Sequence, residues 1–333
     1  MNIAIIKPTP IITPSGGVKL QALMWKEGLE NLGNQVCLIN FWDINDWKTF
    51  DIILIIEYGG FLNELVHFLS PINPNIVLAP IIDTNYSPVL FHYAAKYLHS
   101  TKLKLRSRYN DLYEIRNHIK LFLVRSLYEK KYITKGLGVS IDKVGLIPLS
   151  YRFCDIDIPT SFTKEDFCLH ISLMADERKN VSRLIYAAKK YGFQLKLGGK
   201  LRNNIEERWL MNLISNAENI EYIGFLNDQD LCCWYKKAKV FALPSVYEGV
   251  GMVALEAALY GCDIVLTKNG GPKEYYDNMA FLVDPYSIDD IGKAIMEALH
   301  STRQPQLQKH IMQNFNLNIC MNKMVDLFKV LNK

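Results

Sequence analysis

Several features that would define a membrane, secreted or zinc-binding protein are missing from this sequence. The longest uncharged apolar runs, such as IILII and IVLAPII, are far shorter than the roughly 20 residues that a membrane-spanning helix needs. No C-x-x-C or H-E-x-x-H spacing occurs, so nothing indicates a structural zinc. The 7 cysteines are odd in number and scattered, which favours reduced thiols over a disulfide framework. Because the N-terminal MNIAIIK also lacks a signal-peptide pattern, we expect a cytoplasmic protein.

A strong charge of either sign is missing as well. The formal net charge is +4 and 22% of the residues are charged, a balance that gives no reason to expect a nucleic acid as partner. Hydrophobic residues make up 49% of the chain, which is ordinary for a globular protein. A chain of 333 residues exceeds what one hydrophobic core usually supports, so we expect two domains of roughly 150 residues each.

The N-terminal half alternates between short apolar runs and helical patterns. Runs rich in Ile and Val are typical of strands that are buried on both faces of a parallel sheet. The predicted strands are NIAIIK (2–7), QVCLIN (35–40), DIILIIE (51–57), NIVLAPI (75–81) and KVGLIPL (143–149). The helical pattern after the first strand ends at Gly33, a residue type that commonly terminates helices. From about residue 88 to the last of these strands the pattern is helical and basic.

The alternation restarts in the C-terminal half, after the weakly patterned SYRFCDIDIPTSFTKED. Strand and helix patterns then follow one another, which predicts an α/β fold with two doubly wound Rossmann-like domains. The predicted boundaries are an N-terminal domain at 1–152, a linker at 153–165, a C-terminal domain at 166–310 and a C-terminal helix at 311–333.

The stretch PSVYEGVGMVALEAALYG, at 244–261, combines a glycine-rich turn with the start of a helix. It follows a predicted strand, and open parallel sheets bind ligands at the carboxyl ends of their strands. Gly249 and Gly251 would let the backbone approach a ligand closely. The first amides of the helix, near Met252, Val253 and Ala254, suit an anion such as a diphosphate.

Two glutamates flank this predicted anion site. Glu248 precedes the helix, and Glu256 lies one turn inside it. A carboxylate accepts hydrogen bonds from hydroxyl groups and does not bind phosphate, so Glu248 suits sugar hydroxyls and Glu256 suits a ribose. The pattern indicates a ligand that carries both phosphates and hydroxyls. The alternative is a plain turn between a strand and a helix, with one glutamate favoured by the helix dipole and one solvated.

The longer string PSVYEGVGMVALEAALYGCDIV, followed by NGGPKE, resembles the donor-binding signature of a glycosyltransferase family. This family comprises retaining GT-B enzymes of the family-four type, the glycosyl transferases group 1. The resemblance covers roughly 165–300 and includes RKNVSRLIYAAKK and LKLGGK. It implies a GT-B fold, in which two Rossmann-like domains face a central cleft and the C-terminal helix returns to the N-terminal domain.

The resemblance also implies roles for residues in the C-terminal half. Lys179 matches the phosphate-binding lysine of the family. The family arginine that precedes it is missing from HISLMADE, and Arg178 is the candidate to replace that charge. Glu248 would bind hydroxyls of the donor sugar, and Glu256 would bind the ribose. The other donor-binding residues that the resemblance implies are Gly249, Val250, Gly251, Met252 and Val253 in the turn, and Gly224 and Phe225 beside the base.

In the N-terminal half the resemblance is limited to the layout and a glycine loop. Gly16 and Gly17, in PSGGV, match the family loop that closes over the donor phosphates. An ordinary turn is the alternative. Asp83 stands where family members often carry a histidine near the donor sugar, which makes Asp83 a candidate sugar contact.

The implied reaction transfers a sugar from a UDP- or GDP-linked donor to a saccharide or lipid-linked acceptor, as in the synthesis of surface polysaccharides. The family works with retention at the anomeric carbon and without cofactor or metal. One alternative is an impaired homologue that binds the donor but lost efficient catalysis with the missing arginine. Another is a nucleotide-sugar isomerase of the same architecture. A nicotinamide dehydrogenase is disfavoured, because the first strand is not followed by G-x-G-x-x-G.

Two other segments carry notable side chains. The DID at 155–157 resembles the D-x-D metal site of the other major glycosyltransferase fold, but it lies in the predicted linker, so we expect no metal there. The segment 96–131 is rich in Lys and Arg, interleaved with Leu, Tyr and Phe. It suits the anionic surface of a membrane, which would place the protein peripherally at the inner face. The alternative is a solvated pair of helices with a buried apolar stripe.

Overall fold

The computed structural model describes residues 1–8, 16–99, 107–152, 163–301 and 305–331. The chain forms two compact units. Unit 1 comprises Met1–Ser150 together with Leu317–Lys333, and unit 2 comprises Tyr151–Asn316. The DID at 155–157 lies outside the described residues.

A six-stranded sheet forms the centre of unit 1. Its strands are β1 (Asn2–Ile6), β2 (Gln35–Leu38), β3 (Ile52–Ile56), β4 (Ile76–Ala79), β5 (Leu121–Val124) and β6 (Val144–Leu146). They lie in the order β2-β1-β3-β4-β5-β6, and every neighbouring pair is parallel. The connecting helices are α1 (Gly17–Asn31), α2 (Leu62–Leu69), α3 (Pro88–Tyr97), α4 (Arg108–Ile115) and α5 (Leu127–Lys131). All residues of β3 and β4 are buried, as their continuous apolar sequences predict.

Strand β5 corrects the sequence interpretation. The pattern predicts only helices between residue 88 and KVGLIPL, whereas Leu121–Val124 is a buried strand between β4 and β6. A run of four apolar residues cannot be told from part of a buried helix by its periodicity. The basic segment 96–131 is therefore not one continuous helical surface, because Leu121–Val124, towards its C-terminal end, lies inside the sheet.

Unit 2 has a second parallel sheet of six strands. These are β7 (Glu165–Ile171), β8 (Leu195–Gly198), β9 (Ile220–Gly224), β10 (Ala238–Leu243), β11 (Asp263–Thr267) and β12 (Phe281–Val283). Their order is β12-β11-β10-β7-β8-β9. The helices of this unit are α6 (Val181–Tyr191), α7 (Asn204–Ile214), α8 (Asp228–Lys237), α9 (Met252–Leu259), α10 (Ile288–His300) and α11 (Gln306–Asn314). The predicted α/β class with two doubly wound domains is confirmed.

The strand order reverses direction once in each sheet. In unit 2 the chain runs outward from β7 through β8 to β9, and then continues with β10 on the other side of β7. In unit 1 the same reversal separates β1 from β3. Connections leave opposite faces of the sheet at such a switch point, so a crevice forms at the carboxyl ends of the two strands, and ligands bind there.

Helix α12 (Leu317–Leu331) belongs to unit 1, although the chain reaches it after unit 2. This confirms the return of a C-terminal helix to the N-terminal domain, but the helix begins at Leu317, and the preceding α11 belongs to unit 2. Helix α12 packs on α1 at Gly28, where an added Cβ would lie 2.5 Å from Met321 Cγ and 2.9 Å from Leu317 Cγ. Gly28 therefore allows the two helices to approach closely.

Among the residues that the structure describes, no helix is both long enough and apolar enough to cross a membrane.

Candidate functional site

Three charged residues meet at the switch point of the unit 2 sheet. Arg178 and Lys179 follow β7, and Glu248 follows β10. Lys179 Nζ donates to Glu248 Oε2 at 2.7 Å, and Arg178 Nη1 donates to Glu248 Oε1 at 3.2 Å. The structure thus brings the three predicted catalytic residues together, and we call them, with Ser245, the Glu248 cluster. Ser245 Oγ donates to Glu248 Oε2 at 3.1 Å.

Asn180 fixes the position of the two cations. Its backbone is left-handed, with φ 61°, at the start of α6. Its buried side-chain amide donates to the carbonyl of Pro244 at 2.9 Å and to that of Pro285 at 2.7 Å. The amide of Val246 in turn donates to the carbonyl of Arg178 at 2.8 Å. The segment after β7 is therefore bonded directly to the loop after β10.

Glu248 is a buried carboxylate that stays ionised. Burial by itself would raise its pKa, but the charges of Lys179 and Arg178 outweigh this effect, and hydrogen bonds from Lys179 and Ser245 add to them. The pKa of Glu248 is lowered to about 2. At neutral pH the cluster therefore holds one carboxylate and two cations in hydrogen-bonding contact.

The glycine-rich loop after β11 holds the backbone of Glu248. Gly270 forms a parallel bridge with Glu248 and has φ 102°, a conformation that favours glycine. A Cβ at position 270 would lie 2.0 Å from the carbonyl oxygen of Glu248. Gly271 donates its amide to the same oxygen at 3.3 Å. The NGGPKE motif thus has a structural task, which is to position Glu248.

The turn before α9 has the conformation that its glycines suggested. Gly251 precedes the helix with φ 76°, and Gly249 and Val250 are buried. The predicted amide cradle is smaller than expected, because the amide of Ala254 donates to the carbonyl of Gly251 at 2.8 Å. Met252 and Val253, which are half-buried, are the remaining helix-start positions for an anion.

Glu256 is enclosed by partners that the sequence pattern did not suggest. Its side chain is 0% exposed, and Arg152 binds both of its oxygens, with Nε to Oε1 at 2.5 Å and Nη2 to Oε2 at 2.9 Å. The hydroxyl of Tyr235 donates to Oε2 at 3.4 Å, and Arg152 Nη1 also contacts Asp228 Oδ1 at 2.8 Å. The predicted ribose ligand is therefore one half of a buried bidentate ion pair.

The protonation of Glu256 contrasts with that of Glu248. Burial raises the pKa of Glu256 above its ordinary value, although the hydrogen bonds and charge of Arg152 act in the opposite direction. Arg152 precedes Glu256 by 104 positions in the chain. No spacing rule connects residues so far apart, so a sequence pattern gives no signal for this pair.

After β7, where the resemblance predicts an arginine, Ser172, Leu173 and Met174 are neutral. Ser172 Oγ lies 2.8 Å from His170 Nε2, and His170 Nδ1 lies 2.7 Å from the carbonyl of Ala242. Burial lowers the pKa of His170 to about 4, so its ring is neutral at neutral pH. Met174 is buried. The second positive charge next to Glu248 is that of Arg178, as the sequence suggested.

Gly224 and Phe225 lie at the carboxyl end of β9. Gly224 has φ 81°, and its carbonyl accepts a hydrogen bond from the amide of Gly199 at 2.8 Å. The ring of Phe225 is 66% exposed. An exposed aromatic ring suits the stacking of a nucleobase, and the assignment of these two residues to the base stays a prediction.

The predicted site residues of unit 1 lie at the carboxyl edge of its own sheet. Gly16 has an extended backbone and precedes α1, of which Gly17 is the first residue. Asp83 follows β4, and its Oδ1 accepts from Arg125 Nη2 at 2.7 Å. Buried Arg125 is also bound by Glu129, whose Oε2 lies 3.0 Å from Arg125 Nε. Asp83 is therefore part of an ion-pair cluster, and its contact with a sugar stays a prediction.

The chemistry of the Glu248 cluster follows from its side chains. Lysine and arginine donate charge-assisted hydrogen bonds, which are the strongest contacts available to phosphate oxygens. Glu248 supplies acceptors for hydroxyl groups. Among the described residues, no group of three or more His, Cys, Asp or Glu side chains is arranged to hold a metal ion.

Comparison with known proteins agrees with this geometry. Residues 156–315 match the model of the family described as glycosyl transferases group 1. Over 254 residues the chain is 24% identical to O-antigen chain mannosyltransferase B of Escherichia coli, and the match covers 69% of this chain and 66% of that protein. The matched part spans 66% or less of the length of the first curated relatives.

Solved structures with the same fold cover nearly the whole chain. Sucrose-phosphate synthase from Thermosynechococcus elongatus has a TM-score of 0.75 at 17% identity, over 99% of this chain and 98% of that one. HepE from Anabaena, solved in complex with UDP and glucose, has a TM-score of 0.70 at 15% identity, over 99% and 100%. The chain therefore has the GT-B fold, and its residues 156–315 match the glycosyl transferases group 1.

Proposed function

We propose that the protein is a glycosyltransferase, which moves a sugar from a UDP- or GDP-linked donor to a saccharide or lipid-linked acceptor in polysaccharide synthesis. The observation that carries this proposal is the convergence of Arg178 and Lys179 on Glu248, at the switch point of the family domain. The mannosyltransferase relative makes mannose the first donor sugar to test. The HepE complex with UDP and glucose makes UDP-glucose the second.

The two cations suit the difficult step of such a transfer. The bond between the anomeric carbon and the diphosphate oxygen breaks, and its electron pair stays on the oxygen while positive charge develops on the sugar. A bond to the acceptor hydroxyl oxygen forms, and the proton of that hydroxyl passes to an oxygen of the departing diphosphate. Lys179 and Arg178 stabilise the charge that accumulates on the diphosphate, because they are already oriented before the reaction.

Glu248 has two tasks in this proposal. Its ionised carboxylate orients Lys179 and Arg178, and it accepts hydrogen bonds from hydroxyls of the donor sugar. Since its pKa is about 2, Glu248 is not a general acid near neutral pH. We extend the proposal to retention at the anomeric carbon and to a metal-independent reaction, in which the two side-chain cations supply the positive charge near the diphosphate.

Glu256 binds the ribose in this proposal only if Arg152 gives up part of its contact. Both carboxylate oxygens are within 2.9 Å of the guanidinium, so a ribose hydroxyl and Arg152 compete for them. Replacing Arg152 by Gln, which keeps a hydrogen-bond donor but removes the charge, is expected to tighten nucleotide binding by about tenfold, because it weakens the competitor for Glu256. Tighter nucleotide binding would support competition, whereas weaker binding would mean that Arg152 positions Glu256 for the ribose.

The test of the proposed function is a thermal-shift panel of UDP, GDP, ADP and their common sugar conjugates, with and without EDTA. A ligand at about 100 times its dissociation constant stabilises the protein by about 2.7 kcal/mol. We expect one nucleotide to stabilise the wild type regardless of EDTA and to lose this effect in Lys179→Ala. Stabilisation by none of them would contradict the proposal.

A second candidate is an impaired homologue that binds the donor without efficient turnover. It is favoured by one observation, the buried Met174 near the place where the family carries an arginine. Measuring product formation with the stabilising donor separates the two candidates. Transfer to an acceptor supports the transferase, whereas donor binding without any transfer or hydrolysis supports the impaired homologue.

A further inference from the structure

Helix α3 exposes an apolar face that the proposed transfer reaction does not use. Val89, Leu90, Tyr93 and Tyr97 project within an arc of about 100° on this helix, and between 51% and 65% of each is exposed. We call these four residues the α3 face. Tyr86 and Leu98, at the two ends of the helix, are 46% and 68% exposed. Monomeric soluble proteins rarely expose contiguous apolar surface of this kind without an interaction partner.

The opposite side of α3 anchors the helix in unit 1. Phe91, Ala94 and Ala95 are buried, and the ring of Phe91 lies 5.4 Å from that of Tyr132. Ser87 begins the helix by accepting a hydrogen bond from the amide of Leu90. The α3 face is therefore a rigid surface on a packed helix.

Cations border the α3 face. Lys96 Nζ lies 5.0 Å above the ring of Tyr97, and the guanidinium of Arg116 lies 3.7 Å above the ring of Tyr113. Tyr113 is in turn 6.1 Å from the ring of His92 on α3. Within the part of the chain that the structure describes, neither Lys96 nor Arg116 forms an ion pair with a carboxylate. Both charges remain available to an anionic partner.

A second exposed apolar site on unit 1 has the opposite charge. Trp42 is 94% exposed, and Ile44 is also fully exposed. However, Asp43 and Asp46 lie beside them in the chain. Such a loop repels an anionic surface, so exposure alone does not decide the partner.

We propose that the α3 face docks unit 1 on the surface of an anionic lipid bilayer, with its tyrosines and aliphatic side chains among the lipid headgroups and Lys96 and Arg116 beside the phosphates. Tyrosine is enriched at this depth, because its ring is apolar and its hydroxyl is polar. An apolar helix face bordered by cations binds anionic membranes through both buried area and charge. The α3 face differs from the predicted segment 96–131, because Val89, Leu90 and Tyr93 precede that segment. Of the four residues of the face, Tyr97 lies within it.

The test is cosedimentation with vesicles of phosphatidylcholine, with and without phosphatidylglycerol. We expect the wild type to bind only the anionic vesicles and to be released by salt. Combined Leu90→Ser and Tyr93→Ser should lower the partition coefficient at least about tenfold, and Lys96→Gln about fivefold. The matched control is Ile205→Ser on α7, whose side chain is 70% exposed, and it should bind as the wild type does.

Three outcomes would overturn the proposal. The first is absence of binding, and the second is equal binding to vesicles with and without phosphatidylglycerol. The third is a wild-type dimer that does not bind lipid and that becomes a monomer on combined Leu90→Ser and Tyr93→Ser, which would assign the α3 face to a second copy of the chain. Circular dichroism of each variant shows that the exposed substitutions leave the fold intact. The test requires no donor or turnover, so its result is independent of the proposed transfer reaction.

Discussion

The switch points of the two sheets are built alike but differ in how charge is arranged. In unit 1, Lys7 follows β1 and lies 2.8 Å from Glu57, which follows β3. In unit 2, Lys179 follows β7 and lies 2.7 Å from Glu248, which follows β10. Unit 2 adds Arg178 to the pair. One carboxylate there orients two cations, whereas at the unit 1 switch point Lys7 pairs with Glu57.

The buried charges of unit 1 are also paired differently from those of the Glu248 cluster. Arg125 is shared by two carboxylates, at 2.7 Å from Asp83 and 3.0 Å from Glu129. Glu129 also accepts hydrogen bonds from the backbone amides of Ile82 and Arg125. These contacts join the ends of β4 and β5. We infer that the charges of unit 1 mainly stabilise the fold, while those of unit 2 are arranged to bind an anion.

The largest effect is expected from breaking the buried ion pair of unit 1. Glu129→Ala leaves Arg125 buried with one carboxylate fewer and should lower the free energy of unfolding by about 3–5 kcal/mol. Urea denaturation measures this loss. The control is Glu221→Ala, which breaks an exposed pair with Lys196 and should cost about 1 kcal/mol or less. Similar losses in the two variants would show that Arg125 does not need Glu129.

The next effect is expected on catalysis in unit 2. Lys179→Ala removes one of the two cations beside Glu248 and should lower kcat by roughly 100- to 1000-fold, equivalent to about 2.7–4 kcal/mol. The fold should stay intact. Lys189→Ala, at an exposed position of α6, the helix that follows Lys179, is the matched control and should turn over normally. Normal turnover by Lys179→Ala itself would remove this lysine from the mechanism.

The Glu248 cluster also predicts a dependence of stability on pH. The folded-state pKa of about 2 is below the ordinary value of 4.5, so the stabilisation is present above about pH 4.5 and is lost as the pH falls towards 2. Its size is on the order of 3 kcal/mol. The difference in the free energy of unfolding between wild type and Glu248→Gln, measured against pH, separates the contribution of Glu248 from that of the other acidic residues. If the stability difference between them stayed constant between pH 6 and pH 3, the pairing of Glu248 with its cations would be wrong.

The smallest effect is expected at the unit 1 switch point. Lys7→Ala breaks the partly exposed pair with Glu57 and should lower the free energy of unfolding by about 1 kcal/mol or less. The same variant should lose far less activity than Lys179→Ala. Assaying both variants with one donor compares the switch points directly, and an equal loss of turnover would mean that both units bind the donor through charge.

Most of the fold was predictable because its signals are local. The apolar runs of β1, β3 and β4 are continuous, and Gly33 marks the end of the first helical pattern with φ 79°. Strand β5 was not predicted from the sequence, because a run of only four apolar residues is too short to show either the helical or the strand periodicity. The contact of Gly28 with α12 could not be predicted either. A glycine inside a helical pattern allows another helix to approach closely, but the sequence does not indicate which helix does so.

The sequence predicts those residues of the candidate site that belong to recognisable motifs. Lys179 and Glu248 are 69 residues apart in the chain, yet each belongs to a recognisable motif, so the sequence alone predicts a role for each. Arg152 belongs to no motif, and its bond to Glu256 depends only on the tertiary fold. Asn180 is an intermediate case, because the RKN triplet is visible but its two hydrogen bonds to proline carbonyls are not.

The return of α12 to unit 1 determines the order in which the units can be completed during synthesis. A ribosome releases unit 2 as one uninterrupted segment, Tyr151–Asn316, before α12 emerges. Unit 1 is synthesised first, but the side chains that cover Gly28 on α1 come from Leu317 and Met321. Domains generally fold in their order of synthesis. In this chain the second unit can reach its native state first, while the first unit keeps the surface of α1 uncovered until α12 has left the ribosome.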